Sequence, residues 1–563
     1  MTDSRVVTAH FIGVARPGTS GVPTIPIGRL EAALHRFGGT VQGVERDNAR
    51  LVRVLAGAAP VSPAGEGPIV AVAGEALTGE EEASVWLDVS RDGPGVLARA
   101  NGQFAAAVLS HDVVQLVSDP LGVRPLFYSI VDGQVAFSTS LQALKHLLGP
   151  QPADPLGTWE SLTFGFPLGD RSCWQAIRLV PMGTVLRISS GGVEELRYRE
   201  LADEDWSAAS TGELVEEFGH RFRRAVERRL PGDDGPSVAF LSGGMDSRAI
   251  VACLRGVGRD VVTLNVAPGG TLDAELGAMA GEALGADHRR FEFDDAARLS
   301  VWQRRSLTEL RADGSIADAP RPRVWCGDGG SVLAGCVYLS EALIEIAEAG
   351  DWRETARSFM VATGHQLPHR LVAGNRRRAA EEALFESVGD AMSAEASRGG
   401  GEALYRFLLG ADQRRHLHGY FSSAGVEDFE PILPFFDTEF VDFLASVPIE
   451  AKLNHRLYHE WFTSGALGAA PDVAWQTYPG HIPCPLPMPD GLRYQWGGGW
   501  YSASQRWRLA VTETRSALGF LMGSWAPRDL LNGPFATLAL VSNVIGSRRW
   551  SHVPRSLLSV SEN

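Results

Sequence analysis

Over roughly the first two hundred positions, apolar residues come in short runs cut by turn residues, and beyond position 211 the spacing becomes helical. Runs at 106–110 and 113–118 read as strands, and 126–130 against 135–138 across Asp132 and Gly133 reads as a hairpin. A polar, acidic stretch at 202–211 separates this part from 213–229, where apolar positions recur at helical spacing, so a domain boundary is placed there.

Beyond the boundary the pattern becomes specific. Ser237, Val238, Ala239, Phe240 and Leu241 form a compact run after the turn residues Gly232, Asp233, Asp234, Gly235 and Pro236, which reads as a buried parallel strand. From Asp246 onward Ala249, Ile250, Ala252, Cys253, Leu254 and Val257 make one apolar helix face, stopped by Gly256 and Gly258. A further run at 261–266, a helical segment at 273–284 and a run at 290–293 complete a βαβαβ order, which predicts an α/β fold whose parallel sheet binds a ligand at its strand ends. The strand-to-helix turn is Ser242-Gly243-Gly244-Met245-Asp246-Ser247. Its glycines let the backbone approach an anion, the helix start stabilises negative charge, and Ser242 and Ser247 offer hydroxyls. Asp246 is placed to hold a magnesium ion bridging phosphate oxygens. No lysine follows the glycines, which excludes the P-loop of kinases.

Length and charge narrow the class. The 563 residues suffice for at least two domains. A net charge of -15, from 52 basic and 67 acidic residues, speaks against nucleic acid as a partner. The five cysteines, Cys173, Cys253, Cys326, Cys336 and Cys484, include no CxxC pair, so neither a zinc site nor a disulfide framework is expected, and a cytoplasmic location fits. The N-terminus has no basic segment followed by an apolar core, and the apolar stretch 535–545 is too short for a bilayer, so no membrane partner is expected. Lysine occurs only at Lys145 and Lys452.

The segment from Ser242 to Ser247 resembles the pyrophosphate loop of ATP pyrophosphatases, most closely the asparagine synthetase family. Asn101-Gly102-Gln103-Phe104-Ala105, the stretches 118–128 and 137–144, and the later Phe164-Gly165-Phe166-Pro167, Ile177, Leu179-Val180-Pro181 and Gly183 are similar to the glutamine amidotransferase domain of those synthetases. The resemblance implies an Ntn-hydrolase-like α/β sandwich over 1–203, an ATP-pyrophosphatase (PP-loop) domain with a parallel sheet over 207–490, and a Trp-rich extension over 491–563 packed on the synthetase domain. Family amidotransferases use an N-terminal cysteine. Here the sequence reads Met1-Thr2-Asp3-Ser4 and the first cysteine is Cys173, so the domain is expected to release no ammonia and the attacking amine to come with the substrate.

Trp325-Cys326-Gly327-Asp328-Gly329-Gly330-Ser331 resembles a second family signature, GDGGDE, with Asp328 at its first acidic position and Ser331 and Val332 where carboxylates stand. The stretch from Pro434 to Leu444 is similar to the helix that ends the synthetase domain. Past it the family presents a basic cluster with a lysine, whereas positions 475–483 carry neither lysine nor arginine, with Tyr478 and His481 the polar candidates. Arginine-rich 375–378 and 413–418 read as solvated helix faces. Trp496, Trp500, Tyr501, Trp507, Trp525 and Trp550 read as core filling, or as a wall for an apolar peptide, after the glycines at 497–499.

Within the family the arrangement resembles the lasso peptide cyclases, with β-lactam synthetases as close cousins. That implies adenylation of an Asp or Glu side chain of a precursor core peptide, attack by the peptide's N-terminal amine, and release of AMP and pyrophosphate. The cofactors implied are ATP and Mg2+. A leader-binding protein and a leader peptidase are the partners implied. Asp246 and Asp328 would be the catalytic and metal-holding residues, Asp328 alternatively taking the amine's proton. Ser242, Gly243, Gly244, Ser247 and Gly327 would bind the nucleotide's phosphates, and Leu241 and Val266 the adenine edge. Three alternatives stay open: a β-lactam-synthetase-type small-molecule cyclase, an ammonia-dependent asparagine synthetase, and a scaffold that has lost catalysis, for which Ser331 and the absent lysine are the evidence.

Overall fold

The computed structural model describes residues 7–18, 21–56, 67–78, 82–232, 235–292, 299–317, 321–423, 425, 428–494, 503–544 and 550–563. The expectations on Met1 to Ser4, Asp233, Asp234, Phe293, Trp496, Gly497 to Gly499, Trp500 and Tyr501 lie outside these residues.

The first part is a four-layer sandwich of two antiparallel sheets between helices. One sheet runs Thr40–Arg46, Ala49–Ala56, Val7–Ala15, Gln134–Ser138, Phe127–Val131, Arg178–Leu179; the other runs Gly192–Arg197, Thr184–Ser189, Val113–Ser118, Phe104–Leu109, Ile69–Gly74. Alternate residues of both, among them Phe11, Leu51, Ala71, Ala107, Leu116, Phe137 and Leu186, meet as the layer between the sheets. Val85, Trp86 and Val89 of the helix Glu82–Asp92 cover the outer face of the second sheet through Phe104, Val108 and Val117. The expected hairpin is present, with Phe127 opposite Ser138 and Val131 opposite Gln134. Its turn residues Asp132 and Gly133 have φ of 49° and 69°, the two left-handed residues of a type I′ turn.

The second part centres on a five-stranded parallel sheet in the order Asp287–Phe291, Val261–Val266, Ser237–Phe240, Arg323–Trp325, Glu430–Ile432. The strand first in the chain is thus central, and the winding reverses beside it, between Ser237–Phe240 and Arg323–Trp325. A crevice at the carboxyl ends of those two strands is the place where such sheets take ligands. The pyrophosphate-type loop follows the first of them and the Gly327–Ser331 loop the second, so the order of the sheet alone puts both motifs at one spot.

Helices wrap this sheet, and three more, Ala503–Met522, Gly533–Val544 and Val553–Glu562, form the C-terminal extension. The expectation that residues 491–563 pack on the synthetase domain needs widening, because they bridge both parts. Val372 pairs with Leu531 on the synthetase side. On the sandwich side, Ser559 donates to the Ser161 carbonyl (2.7 Å), Lys145 to the Ser561 carbonyl (2.6 Å) and Trp525 packs edge-on against Trp174. Among the described aromatic residues of the tail there is no single wall, since Trp507 is 53% exposed while Trp550 packs on Phe535. The solvated face expected at 413–418 is also corrected. Arg414, Arg415 and His418 are buried, and the two guanidiniums donate to the Pro167, Gly169 and Arg171 carbonyls of the sandwich. Among the described residues no helix is long and apolar enough to cross a membrane.

Candidate active site

The Ser242–Ser247 loop closes on itself. Ser247, buried in the first turn of the helix Asp246–Gly256, accepts from the Ser242 amide through Oγ (2.9 Å) and pairs with Ser242 Oγ (3.0 Å). Ser242, Gly244 and Asp246 are its partly exposed members, while Leu241, Gly243, Met245 and Ser247 are buried. The loop therefore presents one side, with a helix start behind it, which is the arrangement that holds a phosphate chain. Ser247 braces this side from within. Gly243 is held by two residues that the sequence reading missed: its amide donates to Asp273 (2.8 Å) and its carbonyl accepts from the Gln476 amide (2.9 Å). A Cβ at Gly243 would stand 2.6 Å from Gln476 Nε2 and 2.9 Å from the Leu272 carbonyl oxygen, so only glycine fits. Leu241 and Val266 are buried at the ends of neighbouring strands. The Leu241 amide donates to the Leu264 carbonyl (2.8 Å).

The second loop lies directly against the first. A Cβ on Gly327 would approach the Ser247 amide to 2.9 Å, and one on Gly330 would overlap the Asp246 carboxyl. Ser331 donates to Asp246 Oδ2 from its amide (3.0 Å) and its hydroxyl (2.8 Å), and Tyr458 donates to Oδ1 (3.0 Å). Burial pushes the Asp246 carboxyl up to about 6 against these bonds, and the charge of Asp328 adds to the rise. Burial also raises Asp328, whose charge in turn is the first cause of the raised Tyr420 hydroxyl. Asp246 thus looks toward Ser331 and Tyr458, and the charge of Asp328 acts on both Asp246 and Tyr420.

The donor set bears on magnesium. Among the described residues no three of His, Cys, Asp and Glu converge on one point. One carboxylate at Asp246 and a second at Asp328 fit an ion that takes most of its ligands from phosphates and water, as magnesium commonly does.

A wall of rings closes the far side. The backbone at Asn454 and His455 is left-handed, with φ of 58° and 66°. Two such residues in succession store on the order of 1–3 kcal/mol each, a pattern typical of sites under functional constraint. The turn is pinned by the His455 amide on the Gly335 carbonyl (3.1 Å) and the Ile482 amide on the Asn454 carbonyl (3.3 Å). His455 lies roughly parallel to Tyr458 and Tyr478, at centroid distances of 6.1 Å and 6.0 Å, and its Nδ1 is 2.7 Å from Nδ1 of His481. Burial pushes the His455 imidazole down to about 3, with His481 and His459 adding to the effect, and burial lowers His481 as well. The Tyr478 hydroxyl is raised first by burial and then by the charge of Asp246. Thr477, Tyr478, Pro479, Gly480, His481, Pro483 and Tyr494 line an open cleft of about 380 Å³ beside it. Tyr458, His455, Asp273 and Gln476 had no local signal in the sequence, since each reaches the loops through tertiary contact alone.

The two lysines do not supply the missing cation. Lys452 is 1% exposed, donating to the Leu444 carbonyl over the Tyr405 ring (3.6 Å), and Lys145 is 5% exposed between Trp174 and Trp525. In the sandwich Cys173 is fully buried, and burial pushes its thiol up to about 12, which leaves no reactive thiol among the described residues there. The signature residues of the sandwich serve its contact with the synthetase part. Asn101 donates to Asp437 (3.0 Å) and accepts from Arg229 (2.8 Å), Gln103 donates to the Phe436 carbonyl (3.2 Å), and Arg124 pairs with Glu430.

Comparison with known proteins agrees with both halves. The glutamine amidotransferase domain family matches residues 72–199 and the asparagine synthase family residues 217–320. Carboxyethyl-arginine beta-lactam-synthase of Streptomyces clavuligerus is 24% identical over 339 residues, which are 52% of this chain and 62% of that protein. Asparagine synthetase [glutamine-hydrolyzing] 3 of Bacillus subtilis (strain 168) is 30% identical over 160 residues, 28% of this chain and 26% of that protein. The chain thus spans less than two thirds of the length of either relative. Among solved structures, glutamine phosphoribosylpyrophosphate amidotransferase from B. subtilis aligns over 57% of this chain and 81% of its own at 12% identity with a TM-score of 0.25, too loose a likeness to argue from. An amidotransferase-type sandwich is thus followed by an asparagine synthase-type sheet, whose two glycine-rich loops meet at Asp246, and each half is similar to one domain of the asparagine synthetases.

Proposed function

We propose that the chain is an ATP-dependent amide-bond-forming ligase that activates a peptide carboxylate as its adenylate and closes a macrolactam with the same peptide's N-terminal amine. The observation that carries the ligase reading is the meeting of two glycine-rich loops at the winding reversal of the parallel sheet, with Asp246 held between Ser331 and Tyr458. Ser242, Gly243 and Gly244 present the pyrophosphate side of that meeting, and Asp246 with Asp328 would hold magnesium, which supplies positive charge to the phosphate oxygens when bound. Enclosing carboxylate and amine in one site replaces a bimolecular encounter by a geometric one.

The lasso-type peptide substrate is supported by two further observations. The sandwich offers no reactive thiol among its described residues, and its Asn101 and Gln103 side chains are committed to the contact with the synthetase part, so the amine is brought by the substrate. The cleft at residues 477–494 is open and aromatic, which suits a chain more than a free amino acid. A leader-binding protein and a leader peptidase would deliver that peptide.

Incubation of the protein with ATP, magnesium and candidate core peptides tests the reading. A peptide that loses one water while AMP and pyrophosphate accumulate supports it, and an Asp246→Ala variant with undiminished turnover would sink it. The likeness to a beta-lactam-synthase favours a second reading, a small-molecule cyclase, for which β-amino acids in place of peptides would be consumed.

A further inference from the structure

Arg248 follows Ser247 in the helix Asp246–Gly256 and is fully buried. Its guanidinium is spent on the backbone carbonyls of one distant segment: Nη1 donates to Ala470 (3.1 Å) and Val473 (2.6 Å), and Nη2 to Ala474 (3.1 Å). Among the described residues no carboxylate is bonded to it. Burial lowers the group to about 10, so it stays charged at neutral pH. A buried charge without a counter-ion is costly, and an apolar side chain would fill the same space without that cost. What an apolar side chain would not do is fix three carbonyls at once. Residues 473–478 lie in no helix or strand, so no backbone ladder holds them. The segment is fastened again a few residues on. The Trp475 ring is buried against Phe462 (5.1 Å) and His459 (6.0 Å), and the Gln476 amide donates to the Gly243 carbonyl (2.9 Å). Residues 470–476 are thus clamped to both ends of the nucleotide loop, at Gly243 and at Arg248. Immediately beyond the clamp come Thr477 and Tyr478, the first residues of the open cleft, and the Ile482 amide ties the far end of that wall to the Asn454 carbonyl.

We propose that Arg248 is a positioning residue of the ligase, locking the wall of the substrate cleft to the loop that takes the pyrophosphate, so that a carboxylate presented from the cleft meets the nucleotide in register. The inference rests on the ligase reading above. Arg248 touches neither nucleotide nor substrate in this role and acts through residues 470–476. The phosphate side of the loop has braces of its own, Ser247 on Ser242 and Asp273 on Gly243, and neither runs through Arg248. Loss of the guanidinium therefore frees the cleft wall and leaves the phosphate side in place. The cost falls on the alignment of the two reactants, where a misplacement of about 1 Å slows a reaction by about 10²-fold. The lock also works in the other direction, since a nucleotide that stills the loop stills the wall from Thr477 to Ile482.

Two variants test it. Arg248→Met fills the space and removes the donors, and Arg248→Lys keeps the charge with donors that reach fewer carbonyls. The probes are α,β-methylene-ATP with magnesium and a synthetic peptide that supports ATP–pyrophosphate exchange by the wild-type protein. Arg248→Met is expected to lower kcat/KM for the peptide by about 10²-fold and to keep the dissociation constant of the analogue within about threefold, and Arg248→Lys to recover about tenfold of the loss. Hydrogen exchange gives a readout that needs no turnover: the analogue should slow exchange of the amides from Thr477 to Ile482 in the wild type and leave them unchanged in Arg248→Met. A residue that served folding alone would lower the folded fraction and leave both constants of the folded protein as they are. That outcome would overturn the assignment, as would equal losses for analogue and peptide, or a lysine no better than methionine. If Arg248→Met does not fold, Arg248→Lys decides, and wild-type kcat/KM for the peptide in that variant overturns it. Protection present in the wild type and lost in the variant, with no peptide supporting exchange, would overturn the ligase reading and leave the coupling of loop and wall standing. No binding of the analogue by the wild type would overturn both.

Discussion

Ser331 grips Asp246 twice, through its amide at 3.0 Å and its hydroxyl at 2.8 Å, at the position where the family signature has a carboxylate. A neutral donor there relieves a buried carboxyl of a negative neighbour. Ser331→Asp should restore the repulsion, destabilising the protein by about 2 kcal/mol without a divalent ion. Millimolar magnesium should return most of that loss through binding linkage and shift the variant's melting temperature more than the wild type's. Thermal melts with magnesium or with chelator check this, and equal shifts in both proteins would contradict it.

Gly330 leaves no room for a methyl group beside the Asp246 carboxyl. Gly330→Ala should cost about 1–3 kcal/mol as an overpacked site. By moving a group that faces the phosphates, it should lower ATP–pyrophosphate exchange by about 10²-fold. Exchange measured alongside a urea melt distinguishes this from simple unfolding.

Asn101 joins Asp437 and Arg229 in a buried network between the two halves, and its Oδ1 also accepts from the Thr438 amide (3.3 Å). Asn101→Ala leaves a buried ion pair incompletely bonded, so a loss of about 2–4 kcal/mol is expected in equilibrium unfolding. A loss below 1 kcal/mol, with ~1 kcal/mol typical of an ordinary hydrogen bond, would show that the network is replaceable.

Burial pushes the Lys452 ammonium down to about 8 from its ordinary 10.5. The folded protein therefore binds this proton less tightly than the unfolded chain. Below pH 8 the full penalty is present, and it is relieved as pH rises through the window from 8 to 10.5, by roughly 3 kcal/mol. Lys452→Met should be at least as stable as the wild type at pH 7, and the difference should vanish near pH 10.5. Urea midpoints across that range give the answer.

The parts legible in the sequence are those with a local cause. The strand Val261–Val266 is read at its own bounds because a strand covered on both faces is an uninterrupted apolar run, and the turn at Asp132-Gly133 because its backbone demands such residues. The edge strand Asp287–Phe291 is misplaced by the sequence, which sees a run at 290–293, since Asp287, His288, Arg289 and Arg290 carry no apolar pattern. Arg323–Trp325 and Glu430–Ile432 are too short for any period, and Glu430 is buried only because Arg124 and Arg321 neutralise it. In the site, glycine and serine spacing reveals the loops. The grip of Tyr458 and Ser331 on Asp246, and the meeting of His455 with His481, depend on which distant segments fold against them, and no spacing encodes that.

The order of the parallel sheet also sets a timetable. Its central strand, Ser237–Phe240, is the first made, and its neighbours Val261–Val266 and Asp287–Phe291 join on one side soon after. The opposite side waits for Arg323–Trp325 and then, after a long helical stretch, for Glu430–Ile432. Contacts so far apart along the chain form slowly. A growing chain that ends before Glu430 therefore carries its nucleotide loops on a sheet with an unpaired flank, prone to wrong partners, and helpers that shelter nascent strands should affect the yield of this protein more than its final stability.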